Sequence, residues 1–103
     1  MRSIKSEADF KNIRKFGKKL HFKYGIIYKG DGALGLELGI IASKKLGNAV
    51  NRNRIKRRVT EAFRNISKNI DIKGKIIVIP SPATAKVGFA ELRNSLGEIF
   101  NRS

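Results

Sequence analysis

Ile55, Val59, Ala62, Phe63 and Ile66 recur at helical spacing, beginning inside the stretch between Glu37 and Glu61 that holds no acidic residue and running just past it. At about 100° per residue, these five side chains cover one stripe roughly 100° wide. Such a stripe must be buried against other elements, so the segment predicts a core-facing helix from about Ala49 to Ile66, with Asn48 as its cap. The same acid-free stretch carries Lys44, Lys45, Arg52, Arg54, Lys56, Arg57 and Arg58. Arg52 and Lys56 fall on one flank of the stripe, and Arg54 and Arg58 fall on the other. Asn53, Arg57, Thr60 and Arg64 point away from the core. The fold must therefore bury one face of this helix and leave its basic residues uncompensated.

That charge needs a partner. Like charges at i, i+4, such as Arg54 and Arg58, oppose helix formation by a few tenths of a kcal/mol each. The whole chain repeats the imbalance, with 23 Lys and Arg against 8 Asp and Glu and a net charge of +15. A solvated face explains most charged helices, but here nothing acidic balances it, and the surface repels itself until a polyanion covers it. Lys and Arg neutralise phosphates and release counterions. Arg adds a planar fork that fits phosphate oxygens and stacks on bases. Asn48 and Asn53 can offer donors and acceptors to base or sugar edges. Nucleic acid is the expected partner. A membrane-surface helix would lay its apolar face in lipid, whereas this stripe is needed for a core. Neither a membrane nor a small-molecule substrate is expected. The elements before the helix read as strands, unlike a helix-turn-helix DNA reader.

Composition excludes much else. There is no Cys and one His, His21, so thiolate sites, disulfides and two-histidine metal motifs are ruled out. The eight carboxylates are scattered, with no close pair suited to two-metal nuclease chemistry. No apolar run approaches the roughly 20 residues of a membrane span. Met1-Arg2-Ser3-Ile4-Lys5 lacks the apolar core of a signal peptide, so a cytoplasmic location is expected. A chain of 103 residues predicts a single RNA-binding domain over residues 1–103, burying about two-thirds of its unfolded surface.

Ser6-Glu7-Ala8-Asp9 reads as a capping box, and capping is the economical role for both acids. A first helix follows from about Glu7 to Phe16, stopped by Gly17, with Phe10, Ile13 and Phe16 as its apolar contacts. Leu20 to Lys29 is rich in aromatic and β-branched residues and predicts a strand. By period two, Phe22, Tyr24, Ile26 and Tyr28 would share one face. Gly30-Asp31-Gly32 marks a turn, and Leu34 to Ala42 a second strand. Glycines 30, 32, 35 and 39 do not form a phosphate loop, since no Gly-Lys-Ser/Thr follows at the required spacing. Lys75 to Ile79 reads as a strand buried on both faces, ended by Pro80 and Pro82. A last helix is expected from about Gly88 to Asn101, with Phe89, Leu92, Leu96, Ile99 and Phe100 inward. The order reads as helix, two or three strands, helix, strand, helix. With three strands before the central helix, the expectation is an α+β fold, a two-layer α/β sandwich with a small mixed four-stranded sheet in the order α-β-β-β-α-β-α.

The run Ser43-Lys44-Lys45-Leu46-Gly47-Asn48-Ala49-Val50-Asn51-Arg52-Asn53-Arg54-Ile55-Lys56-Arg57-Arg58, followed by Glu61-Ala62-Phe63-Arg64, strongly resembles the signature of the bacterial ribonuclease P protein subunit. Arg52-Asn53-Arg54 looks like that family's RNR motif. Asp9-Phe10 with the later Gly17 is similar to its first helix, and Ile76 to Pro80 to its last strand. The resemblance implies a left-handed crossover between parallel strands, as in the second domain of a small-subunit ribosomal protein, where general rules favour a right-handed one. It also implies a non-catalytic protein subunit. A large catalytic RNA would carry the active site and its magnesium ions. The holoenzyme would cleave one phosphodiester of precursor tRNA to give the mature 5′ end.

Carried over by position, Lys44, Lys45, Arg52, Arg54, Lys56, Arg57 and Arg58 match RNA-contacting positions, with Asn48 and Asn53 among them. Phe10, Ile26 and Tyr28 match the cleft that holds the 5′ leader; ordinary core aromatics are the other reading of Phe10 and Tyr28. Aromatic faces beside positive charge suit a single strand of any sequence. Arg14 stands where many members carry a second aromatic, and Thr60 where many carry Arg. These departures imply altered leader contacts within the same function. From composition alone, a structural RNA-binding protein such as a small ribosomal protein fits equally well; the motif is what separates the two.

Overall fold

The computed structural model describes residues 1–32 and 35–102. In chain order it contains β1 (Arg2–Ser3), α1 (Glu7–Phe16), β2 (Lys18–Phe22), β3 (Gly25–Gly30), β4 (Leu36–Ile40), α2 (Ala49–Ile66), β5 (Gly74–Pro80) and α3 (Phe89–Arg102), with short 3-10 turns at Lys44–Leu46 and Pro82–Ala85. The strands form one sheet in the order β1-β4-β5-β3-β2. β1 and β4 are parallel, as are β4 and β5, and β5-β3 and β3-β2 are antiparallel. α2 is thus the crossover between the parallel neighbours β4 and β5.

Local chemistry sets the helix ends. The Ser6 hydroxyl accepts from the Asp9 N–H at 3.4 Å and starts α1. Gly17 ends it, donating its N–H to the Ile13 carbonyl at 2.8 Å. Central β5 has a neighbour on each side and core on each face, which is why its sequence is continuously apolar.

Alternate residues of β5 serve two clusters. Ile76 and Val78 join Ile27, Leu36 and Leu38 beneath α2 and α3, where Ile55, Val59, Ala62 and Phe63 of α2 are fully buried. Each large apolar side chain buried there contributes roughly 1.5–3 kcal/mol. Phe63 meets Phe100 of α3 edge-on, with ring centroids 5.6 Å apart. Ile77 points to the opposite face and packs with Ile4 and Ile13 of the N-terminal segment and α1. The sheet and the α2-α3 layer make the main sandwich, and α1 covers part of the other face.

The structure corrects several expectations. The sheet has five strands where four were expected, because Arg2 and Ser3 pair with Glu37 and Leu38. A two-residue strand has no periodicity to display in sequence. Leu20–Lys29 is not one strand: the chain reverses between Phe22 and Gly25. The reversal breaks the period-two assignment, so Phe22 joins Ile27 in the main core while Tyr28 packs on the other side. Phe16 makes no core contact and is 76% exposed. Phe89, at the first position of α3, is exposed, while Leu92, Leu96, Ile99 and Phe100 are buried as expected. The expected start of the second strand, Leu34, lies outside the described residues.

Candidate nucleic-acid interface

The approach to α2 is built by four residues of one motif. Leu46 is buried and anchors the 3-10 turn. Gly47 follows with φ +99°, a backbone conformation that costs glycine nothing. Asn48 then caps α2, its Oδ1 accepting from the Asn51 N–H at 2.9 Å. Asn51 closes the loop by donating from Nδ2 to the Leu46 carbonyl. This turn leaves Lys44 and Lys45 exposed beside the positively polarised start of a helix with no acid in its first turn.

Helix geometry distributes the remaining basic residues. Arg52 and Lys56 lie about 60° and 100° to one side of Ile55, and Arg58 and Arg54 by the same angles to the other. Asn53 and Arg57 face away from the core, exposed. Among the described residues, ion pairs join other cations: Lys75 with Asp9 at 3.2 Å, Lys23 with Glu91 at 2.7 Å, Lys73 with Asp71 at 3.4 Å, and Arg64 with Glu61. None of these pairs engages the seven basic residues from Lys44 to Arg58.

The nine residues expected to meet RNA are not equivalent. Lys44, Lys45, Asn53, Arg54, Lys56 and Arg57 are exposed. The side-chain oxygen of Asn48 is committed to its cap. Arg58 is half-buried, and its guanidinium donates to the Val87 carbonyl, tying α2 to the segment before α3. The Nε atoms of Arg52 and Arg58 are buried with no hydrogen-bond partner.

The other expected cluster lies on the α1 face of the sheet. Phe10 and Tyr28 pack half-buried around Ile4, Ile13 and Ile77. Ile26 shares the face of Tyr28 and sits opposite His21 and Ile79 in the sheet register. Core packing and surface presentation therefore apply to the same rings at once. Phe10 also borders a concavity of about 320 Å³, shared with Arg2, Gly39, Lys56, Thr60 and Arg64. The first aromatic and the basic helix thus meet at one groove. Tyr28, on β3, stands two strands from β4, or about 10 Å across the sheet.

Three contributors to this surface are not marked by the sequence. Asn51 stands within the motif, and only the folded turn shows its bond to the Leu46 carbonyl. Lys19 places its ammonium 6.0 Å from the Tyr28 ring centroid, a contact visible only once β2 and β3 are known to pair. Arg2 reaches the groove through β1. Among the described residues, no group of three or more His, Cys, Asp or Glu could hold a metal ion.

A mixed sheet with an uncompensated basic helix on one face and half-buried aromatics on the other defines a small polyanion-binding α+β protein. Residues 1–103 match the family model for ribonuclease P. The ribonuclease P protein component of Staphylococcus epidermidis is 39% identical over 99 residues, covering 94% of this chain and 85% of the relative. The solved ribonuclease P protein of Staphylococcus aureus matches with a TM-score of 0.79 at 35% identity, over 99% of this chain and 94% of that one. The corresponding structure from Thermotoga maritima gives 0.83 at 32% identity, over 100% and 98%. The chain belongs to the ribonuclease P protein family, and so to the protein side of a tRNA-processing ribonuclease. The small ribosomal protein alternative falls away.

Proposed function

We propose that Lys44, Lys45, Arg52, Asn53, Arg54, Lys56 and Arg57, with Asn48 and Arg58 shaping the surface, bind the catalytic RNA of ribonuclease P. Phe10, Ile26 and Tyr28 contact the 5′ leader of precursor tRNA. The observation that carries this reading is the row of basic residues on and before α2, none engaged by the ion pairs described above. Positive charge between two polyanions lowers their mutual repulsion, so catalytic RNA and substrate approach with less magnesium. Asp9, Glu61, Asp71 and Glu91 are each paired with a lysine or arginine, and among the described residues no group of three or more His, Cys, Asp or Glu fits a metal ion. Magnesium is assigned mainly to the RNA, where it would supply the hydrolytic chemistry. This chain binds, orients and neutralises. Among the described residues no helix is long and apolar enough to cross a membrane, and the cytoplasm is the proposed location.

The test is the salt dependence of RNA binding after Arg52, Arg54 and Arg57 are changed together to Ala. Each lost phosphate contact should flatten the slope of log K against log salt by roughly 0.9, or about 0.7 for a single strand. An unchanged slope contradicts the assignment.

A further inference from the structure

Phe16 has no role in the core and is 76% exposed. Helix geometry separates it from the groove already described. Asp9, Asn12 and Phe16 fall within about 60° on one flank of α1, while Phe10 lies about 100° beyond them. On the Phe16 flank is a concavity of about 700 Å³, bordered by Asn12, Phe16, Lys18, Lys29 and Asp31 and sharing no lining residue with the groove at Phe10. That volume suits a small organic group such as a nucleotide.

The charges around it favour an anion. Lys15 sits 5.3 Å from the Phe16 ring centroid. Lys18 and Lys29 stand directly opposite each other in the β2-β3 register, and like charges so placed are destabilising until something comes between them. Asp9 is occupied by Lys75 at 3.2 Å. An exposed ring beside lysines is the arrangement that holds an unpaired nucleotide, the base stacking and the phosphate neutralised.

We propose that this flank of α1 is a second single-strand RNA contact, separate from the cleft at Phe10 and Tyr28, with Phe16 as its stacking face and Lys18 and Lys29 as its phosphate partners. Asn12 and Asp31 supply donors and acceptors to the base edge. The inference rests on the RNA-binding reading above but uses none of the residues assigned there.

The chain has no Trp, so Phe16→Trp places a single fluorophore at the site. The full-length variant is titrated with a ten-nucleotide oligouridylate and with an abasic oligomer of equal charge. The oligouridylate is expected to quench the emission and the abasic oligomer to leave it nearly unchanged. Phe16→Ala should weaken oligouridylate binding roughly fivefold or more, with affinity for the catalytic RNA unaltered. Equal quenching by both oligomers overturns base stacking. Oligouridylate binding with no emission change and no effect of Phe16→Ala overturns this site and leaves the function above intact. Failure of the unmodified protein to bind any RNA overturns both.

Discussion

A Cβ added to Gly39 would stand 2.6 Å from Cζ of Phe10, so the aromatic ring occupies the space above the glycine. The bare backbone of β4 is what seats Phe10 at the groove beside Lys56. Gly39→Ala should force the ring aside, costing about 1–3 kcal/mol of stability. It should also reduce the preference for precursor over mature tRNA, with affinity for the catalytic RNA unchanged. Leader preference equal to that of the parent protein would mean that the position of Phe10 does not matter.

Asn51 holds the turn that presents Lys44 and Lys45. Asn51→Ala removes one half-buried hydrogen bond and should lower stability by about 1 kcal/mol. Its effect on RNA affinity should be coupled to that of the lysines. In a double-mutant cycle, Lys44→Ala with Lys45→Ala should cost less in the Asn51→Ala background than alone. Strict additivity would separate the turn from RNA binding.

Arg57 and Arg58 are adjacent but should behave differently. Arg57 is exposed, so Arg57→Ala should change stability by no more than about 0.5 kcal/mol and lower the salt dependence of RNA binding. Arg58 donates to the Val87 carbonyl, so Arg58→Ala should cost about 1.5–3 kcal/mol. Arg58→Lys should restore little, because a point charge does not replace the fork. Chemical denaturation of both variants tests this, and equal stabilities would contradict it.

The Lys23–Glu91 pair joins the β2-β3 turn to α3 at 2.7 Å. Its hydrogen bond holds the Glu91 carboxyl below the usual range and the Lys23 ammonium above its own. The Glu91 contribution is present above the ordinary carboxylate range and fades as pH falls through the depressed value. The Lys23 contribution is present below the ordinary lysine range and fades as pH rises through the raised value. The melting temperature of Glu91→Gln should therefore lie slightly below that of the parent at neutral pH, and the gap should close in acid and in strong alkali. Both groups are exposed, so the effect is small and shrinks in salt. A gap constant with pH would contradict the pairing.

What the sequence made legible followed from periodicity and caps. The ends of α2 were readable because Asn48 is a strong cap and five apolar residues keep helical spacing to Ile66. β5 was readable as a buried strand because both its faces are core. The β2-β3 hairpin was not, because Leu20–Lys29 is unbroken in β-forming character. The one mark of its turn is Gly25, with φ +155°, and a glycine followed by Ile26 and Ile27 reads equally well as strand interior. The exposure of Phe16 is not legible either, because spacing cannot tell an inward flank of α1 from one left bare. Among the site residues, exposure of the basic helix followed from its stripe. The tie from Arg58 to Val87 spans 29 residues, and only the packed fold brings its ends together.

The proposed function makes this chain the assistant of an RNA catalyst and not a catalyst itself. The most direct test is cleavage of a precursor tRNA by the cognate ribonuclease P RNA at limiting magnesium, with and without the protein. The protein should restore cleavage at the mature 5′ end and do nothing when the RNA is omitted. Cleavage by the protein alone, or no effect on that RNA despite binding to other structured RNAs, would contradict it.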